Sequence, residues 1–155
     1  MFRSLLACLC LSLLASCGGS HNADVSFQNA QVQAPVGGRD VTLGGFEISA
    51  TGENITLVHA SSPAAEKIEL HTMAEEDGVM KMRRLENGIT IRAGETLTLG
   101  RGGPHLMIFG LDPALKAGDT LQISVTYKQG GRVEPPLSLN AKIYSLGEDH
   151  AGHGS

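Results

Sequence analysis

From Val25 onward, apolar and polar residues alternate along most of the chain, the period of a strand with one buried face. The clearest case is TLQISVTY, where Leu121, Ile123, Val125 and Tyr127 alternate with Thr120, Gln122, Ser124 and Thr126. LSLNAKI repeats the pattern with Leu137, Leu139, Ala141 and Ile143. Shorter alternations occur in GITIRA (Ile89, Ile91) and ETLTLG (Leu97, Leu99), and others near 25–33, 40–49, 54–60, 67–73, 79–85 and 105–110. Turn signals punctuate them: Gly37-Gly38, Gly52, Asp77-Gly78, Asn87-Gly88, Ala93-Gly94, Gly102-Gly103-Pro104 and Gly130-Gly131. SPAAEK (62–67) and DPALKAG (112–118) each have room for one helical turn. No internal repeat is evident. About eight or nine short strands at this spacing predict an all-β domain, a β-sandwich or Greek-key barrel.

The two ends break the pattern. Met1-Phe2-Arg3 supplies a positive start, and Ser4 to Ala15 a short apolar run. That run is well short of the roughly 20 residues a membrane-spanning helix needs, and fits the core of a signal peptide. It ends in Leu14-Ala15-Ser16-Cys17, which resembles a bacterial lipobox: cleavage before a cysteine whose thiol then carries lipid. Ordinary signal cleavage with an incidental Cys17 is the alternative. Gly18 rather than Asp follows, so the known retention signal for the inner membrane is absent. The expected organisation is a signal peptide over 1–16, a lipidated polar tether over 17–24, a β domain over 25–146, and a patternless tail over 147–155. The expected location is the bacterial cell envelope, facing the periplasm and anchored to a membrane by lipid.

Composition narrows the chemistry. The formal net charge is −4, and no basic block or basic-aromatic patch suggests nucleic-acid binding. With no tryptophan and two tyrosines, the core must be mostly aliphatic. The three cysteines are Cys8, Cys10 and Cys17, so the β domain contains none, and any metal site in it must do without thiolate. No serine-centred nucleophile motif, HExxH or phosphate loop is present, so an enzyme is not expected.

Methionine is concentrated beside histidine. ELHTMAEEDGVMKMRRL holds His71, Met73, Met80 and Met82, and GGPHLMIFG holds His105 and Met107. If residues 67–85 form a hairpin around Glu75-Glu76-Asp77-Gly78, alternation puts all four side chains of the first group on one face. Placing His71 opposite Met82 would put Met73 opposite Met80, with directly opposed side chains about 5 Å apart at Cβ. His105 and Met107 form another same-face pair on a strand that could cover the same end. Lys81, Arg83 and Arg84 are expected on the side away from the methionines, facing water. Two explanations stay open at this point: a metal site, or methionines used as gap-fillers in a core. If a metal binds, thioether with imidazole favours Cu(I), a poor match to zinc, and the missing thiolate excludes a blue-copper electron carrier.

These segments resemble the periplasmic copper chaperones of the PCu(A)C family. The likeness runs through roughly 40–145 and includes ASSPAAEKIELHTM, EDGVMKMR, IRAGETLTLGRGGPHLMIFGL and LKAGDTLQISVTY. The family pattern is His, ten residues, Met, about twenty-one residues, then His-x-Met. His71, Met82, His105 and Met107 fall on it, with one surplus residue between Met82 and His105 that the Glu86-Asn87-Gly88 turn can absorb. The resemblance implies a cupredoxin-like β fold and Cu(I) held by those four residues. It also implies delivery toward the CuA centre of cytochrome c oxidase, or a role in copper homeostasis, alongside a copper protein of the Sco type.

Other candidates carry a plainer explanation beside the functional one. Met73 is a hydrophobic shield or an alternate ligand, and Met80 a collar residue. His59 is a core or rim histidine, or lies near the site. His150 and His153 are a solvated tail or a looser Cu(II) site. The competing classes are a structural or interaction β-sandwich lipoprotein whose methionines are only core, and a copper-dependent enzyme or redox protein.

Overall fold

A computed structural model describes residues 23–36 and 39–145. The signal segment, Cys17, His150 and His153 lie outside the described residues.

The alternating segments are strands: β1 (Asp24–Gln33), β2 (Val41–Thr51), β3 (Ile55–Ser61), β4 (Ala65–Glu76), β5 (Val79–Arg84), β6 (Ile89–Ile91), β7 (Thr96–Thr98), β8 (His105–Leu111), β9 (Thr120–Gln129), β10 (Arg132–Val133) and β11 (Leu137–Tyr144). Eleven strands replace the expected eight or nine. β6, β7 and β10 are pieces of two or three residues added to larger ladders. The two segments with room for a helical turn form none. Ala65 to Lys67 begins β4. Residues 112–118 make tight turns instead, with the Asp112 carboxylate accepting from the Ala114 N–H at 2.9 Å.

Neighbouring strands run in the order β9-β11-β1-β2-β8-β4-β3, and β3 pairs back with β9. Seven strands thereby close into a barrel, which leaves this ring without a free edge. All ring pairings are antiparallel except β1 with β11. The inner wall is aliphatic, as the lack of tryptophan requires. Phe46, Ile48 and Ala50 of β2, Ile68 and Leu70 of β4, Leu106 and Ile108 of β8, and Leu121, Ile123 and Val125 of β9 are buried in one cluster. None of the methionines among the described residues belongs to it. The core explanation for their clustering therefore has no support in the packing.

β4 is longer than the barrel is tall. Residues 65–71 pair with β8 and so lie in the wall, while residues 71–76 pair with β5 and project as a two-stranded ribbon. Asp77-Gly78 closes the ribbon, with φ of 54° and 77°, the two positive angles of a type I′ turn.

Gly45 of β2 shows how tightly the wall is built at the ribbon end. A Cβ there would sit 2.1 Å from the Leu99 carbonyl oxygen and 2.7 Å from its carbon, both backbone atoms that cannot rotate away. Gly45→Ala is expected to destabilise the domain by about 1–3 kcal/mol through overpacking. Denaturant unfolding measures this, and an unchanged midpoint would show that the β2–β7 crossing yields.

Candidate metal centre

His71 belongs to two ladders at once. It is the last partner of β8, opposite His105, and the first partner of β5, opposite Arg84. Because Ile68 and Leu70 point into the core, alternation turns Glu69, His71 and Met73 outward on β4. The same rule, with Leu106 and Ile108 inward, turns His105 and Met107 outward on β8. Through the ladder with β4, Met80, Met82 and Arg84 of β5 share that outer face.

The hairpin register differs from the expected one. Met73 pairs with Met82, and Glu75 with Met80, so Met82 is diagonal to His71 rather than opposite it. The cause is the two-residue turn, which pairs Glu76 with Val79 and thereby sets every pair above it. A slip of two residues preserves the face of every side chain, so the shared face survives while the opposed pairs change. Arg84 is corrected as well. It lies on the methionine face, whereas Lys81 and Arg83 lie on the other and reach Glu76.

The two histidines stand side by side, ring centroids 6.2 Å apart and tilted by 33°. His105 is buried although it points away from the core. Its Nδ1–H donates to the Gly103 carbonyl at 2.7 Å. A carbonyl can only accept, so the proton is on Nδ1 and the neutral ring keeps a lone pair on Nε2. The Nε2–H of His71 donates to Glu69 Oε2 at 3.0 Å, which leaves the lone pair on Nδ1. These two lone-pair atoms, His71 Nδ1 and His105 Nε2, are buried and have no hydrogen-bond partner. Leaving a buried polar atom unsatisfied costs about 1–3 kcal/mol, which a bound cation would offset.

Thioethers share the outer face with the pair. Met107 is two residues from His105 on the same face, opposite Glu69. Met73 is half-buried beside Met82, which is 43% exposed, and Met80 near the ribbon tip is 55% exposed. The soft donors thus grade from a covered imidazole to a solvent-facing thioether. Among the described residues, no group of three or more His, Cys, Asp or Glu side chains is arranged to hold a metal. Imidazole with thioether is a softer set of groups than zinc or a hard divalent cation prefers. His59 is exposed on β3, opposite Thr126 of β9, and shares no ladder pair with this face.

Sequence patterns overlooked Glu69. Its side chain is only 10% exposed, yet it meets His71 Nε2, Lys67 Nζ at 3.1 Å and Arg84 Nη1 at 3.2 Å. The E-x-H spacing on a strand, which puts both groups on one face, was the available signal. The hydrogen bond from His71, then that from Lys67, holds the Glu69 carboxyl below the usual range, against an opposing effect of burial.

The barrel has known counterparts. The fold is that of PCuAC domains. The copper-bound PCuAC domain from PmoF2 matches with a TM-score of 0.63 and 12% identity, over 79% of this chain and 93% of that one. CuI-DR1885 from Deinococcus radiodurans matches with a TM-score of 0.59 and 30% identity, over 76% of each chain. The chain belongs to the LpqE-like family, whose model, described as "Putative lipoprotein LpqE-like", matches residues 25–138. A protein of Leifsonia xyli subsp. xyli named "Putative lipoprotein Lxx21020" is 30% identical over 127 residues, spanning 82% of this chain and 75% of that protein.

Glu69 also makes the fold acid-sensitive. Its folded pKa lies below the ordinary value of 4.5, so the unfolded chain binds protons first as pH falls. The stabilisation is complete above that value and lost as pH drops through the lower folded one. Metal-free wild type should therefore lose stability more steeply than Glu69→Gln as pH falls below about 5. Denaturant unfolding across that range tests this, and parallel curves would remove the assignment to Glu69.

Proposed function

We propose that this protein is an exported, lipid-anchored copper chaperone that carries Cu(I) on His71, Met82, His105 and Met107. The observation that carries the proposal is the pair of buried, unpartnered ring nitrogens, His71 Nδ1 and His105 Nε2, on neighbouring rings whose strand face also carries thioethers. The absence of methionine from the buried cluster supports it, because a core role would have placed those side chains inside. The names of two relatives, a copper-bound PCuAC domain and CuI-DR1885, support copper as the ion and Cu(I) as its state.

Two neutral imidazoles and two thioethers add no charge, so the bound centre would keep the single positive charge of Cu(I). Thioethers favour the reduced ion and carry no proton that titrates near neutral pH. Acid would weaken the site through imidazole protonation. The histidine side is covered and the Met82 side is open, so an acceptor's ligand could displace the exposed thioether first and draw the ion out stepwise. The acceptor in this reading is another copper protein, either the subunit bearing the CuA centre of cytochrome c oxidase or one of the Sco type. Met73, opposite Met82, serves as shield or alternate thioether. His150 and His153 would form a looser Cu(II) site in the tail. Lipid on Cys17 would hold the domain at a membrane, facing the periplasm.

Anaerobic titration with Cu(I) against a chromogenic chelator is expected to show one tight site. The double variant His71→Ala, Met82→Ala should abolish it, and Met107→Ala should weaken it without lowering the unfolding midpoint. Unchanged affinity in the double variant would end this assignment, and loss of cooperative unfolding in Met107→Ala would make that residue structural. For the anchor, Cys17→Ser should move the protein from the membrane fraction to the soluble fraction. Retention in the membrane would refute lipidation at Cys17.

A further inference from the structure

We infer that Glu69 is a positioning residue for the copper centre: its carboxylate engages Nε2 of the His71 ring, so that Nδ1, not Nε2, is the nitrogen left free as donor. The inference rests on the copper reading above, and it concerns a residue outside the four-ligand pattern.

A neutral imidazole carries one N–H and one lone pair, and ring rotation by half a turn exchanges the places of its nitrogens. A site that needs one particular nitrogen must therefore fix both the tautomer and the rotation. For His105 the Gly103 carbonyl does this. For His71, among the described residues, no backbone carbonyl takes the role, and the hydrogen-bond partner of the ring is Glu69 Oε2. An ionised carboxylate only accepts, so it demands Nε2–H and leaves Nδ1 open.

The carboxylate is itself held. Oε1 meets Lys67 Nζ at 3.1 Å and Arg84 Nη1 at 3.2 Å, leaving Oε2 for the imidazole. The Lys67 ammonium lies 4.4 Å from the centroid of the Phe109 ring, its neighbour across the β4–β8 ladder. Arg84 is paired with His71 across the β4–β5 ladder. One carboxylate thus ties together the barrel wall, the ribbon and the first ligand. With its oxygens engaged by these donors, and a hard donor poorly suited to Cu(I), Glu69 is not itself a ligand. A carboxylate behind a coordinating imidazole also raises the basicity of the ligand, and its loss commonly costs about 10- to 100-fold in metal affinity.

The test combines ring-nitrogen NMR of the metal-free domain with Cu(I) affinity, on wild type, Glu69→Gln and His71→Ala. Wild type should show a protected His71 Nε2–H. In Glu69→Gln, where the amide can donate as well as accept, that signal should exchange away or split between tautomers. The His105 Nδ1–H signal should stay in place, reporting an intact fold. Cu(I) affinity should fall by about 10- to 100-fold in Glu69→Gln, and further in His71→Ala. An Nδ1–H tautomer at His71 in the wild type would overturn the inference without any variant. So would wild-type affinity in Glu69→Gln alongside lost affinity in His71→Ala, an outcome that leaves the copper reading intact. Wild-type affinity in His71→Ala would instead overturn the copper reading and this inference with it.

Discussion

The register between β4 and β8 is held from the inside of the barrel. Ile68 pairs with Ile108 and Leu70 with Leu106, and all four are buried. A slip of β4 by one residue would expose Ile68 and Leu70 and turn His71 toward the core, and a slip of β8 would do the same to Leu106 and Ile108, with His105 and Met107 turned inward. Each exposed aliphatic side chain would cost roughly 1.5–3 kcal/mol of burial, before the cost of burying imidazole. The hydrophobic wall therefore sets the pairing of His71 with His105 from the opposite side of the sheet. The second constraint is the two-residue turn at Asp77-Gly78, which aligns the ribbon so that Met82 comes beside the same histidine. His71 sits where the two registers meet, and a change to either one would dismantle the donor set.

This arrangement separates stability from binding. Among the described residues, the inner wall contains a closed aliphatic cluster and no methionine; the outer face at one end carries thioethers and imidazoles. Three strands supply the donors, yet each donor's direction follows from strand alternation. Hydrogen bonds behind the imidazoles then choose the free nitrogen: a carbonyl behind His105 and a carboxylate behind His71. The carboxylate is anchored by cations from β4 and β5, so the ribbon is coupled electrostatically to the barrel as well as by its ladder.

Much of this was legible in the sequence, for identifiable reasons. Alternation in TLQISVTY and LSLNAKI named inward residues that the structure buries, because a period of two leaves one choice of face once a core is assumed. The shared face of His71, Met73, Met80 and Met82 followed from the same period. The pairing within the hairpin did not, because treating Glu75 to Gly78 as the loop admits more than one register; only the positive φ at both Asp77 and Gly78 selects it. Arg84 was misplaced for a related reason: it follows Arg83 directly, and adjacent residues in a strand point to opposite faces. Closure of the barrel through β3 and β9 joins strands far apart in sequence, where local pattern carries no information. Lys67, Glu69 and Arg84 lie on the consecutive strands β4 and β5, and their grouping depends on the hairpin register that the sequence left open.

The central claim is that nitrogen from two histidines and sulfur from methionine meet at one ion. X-ray absorption at the copper edge of the Cu(I)-loaded domain reads the identity of those neighbours directly. The expected result is a low-coordinate Cu(I) shell containing both nitrogen and sulfur scatterers, with the imidazole outer-shell pattern present. A shell made only of light oxygen or nitrogen neighbours, or only of sulfur, would contradict it.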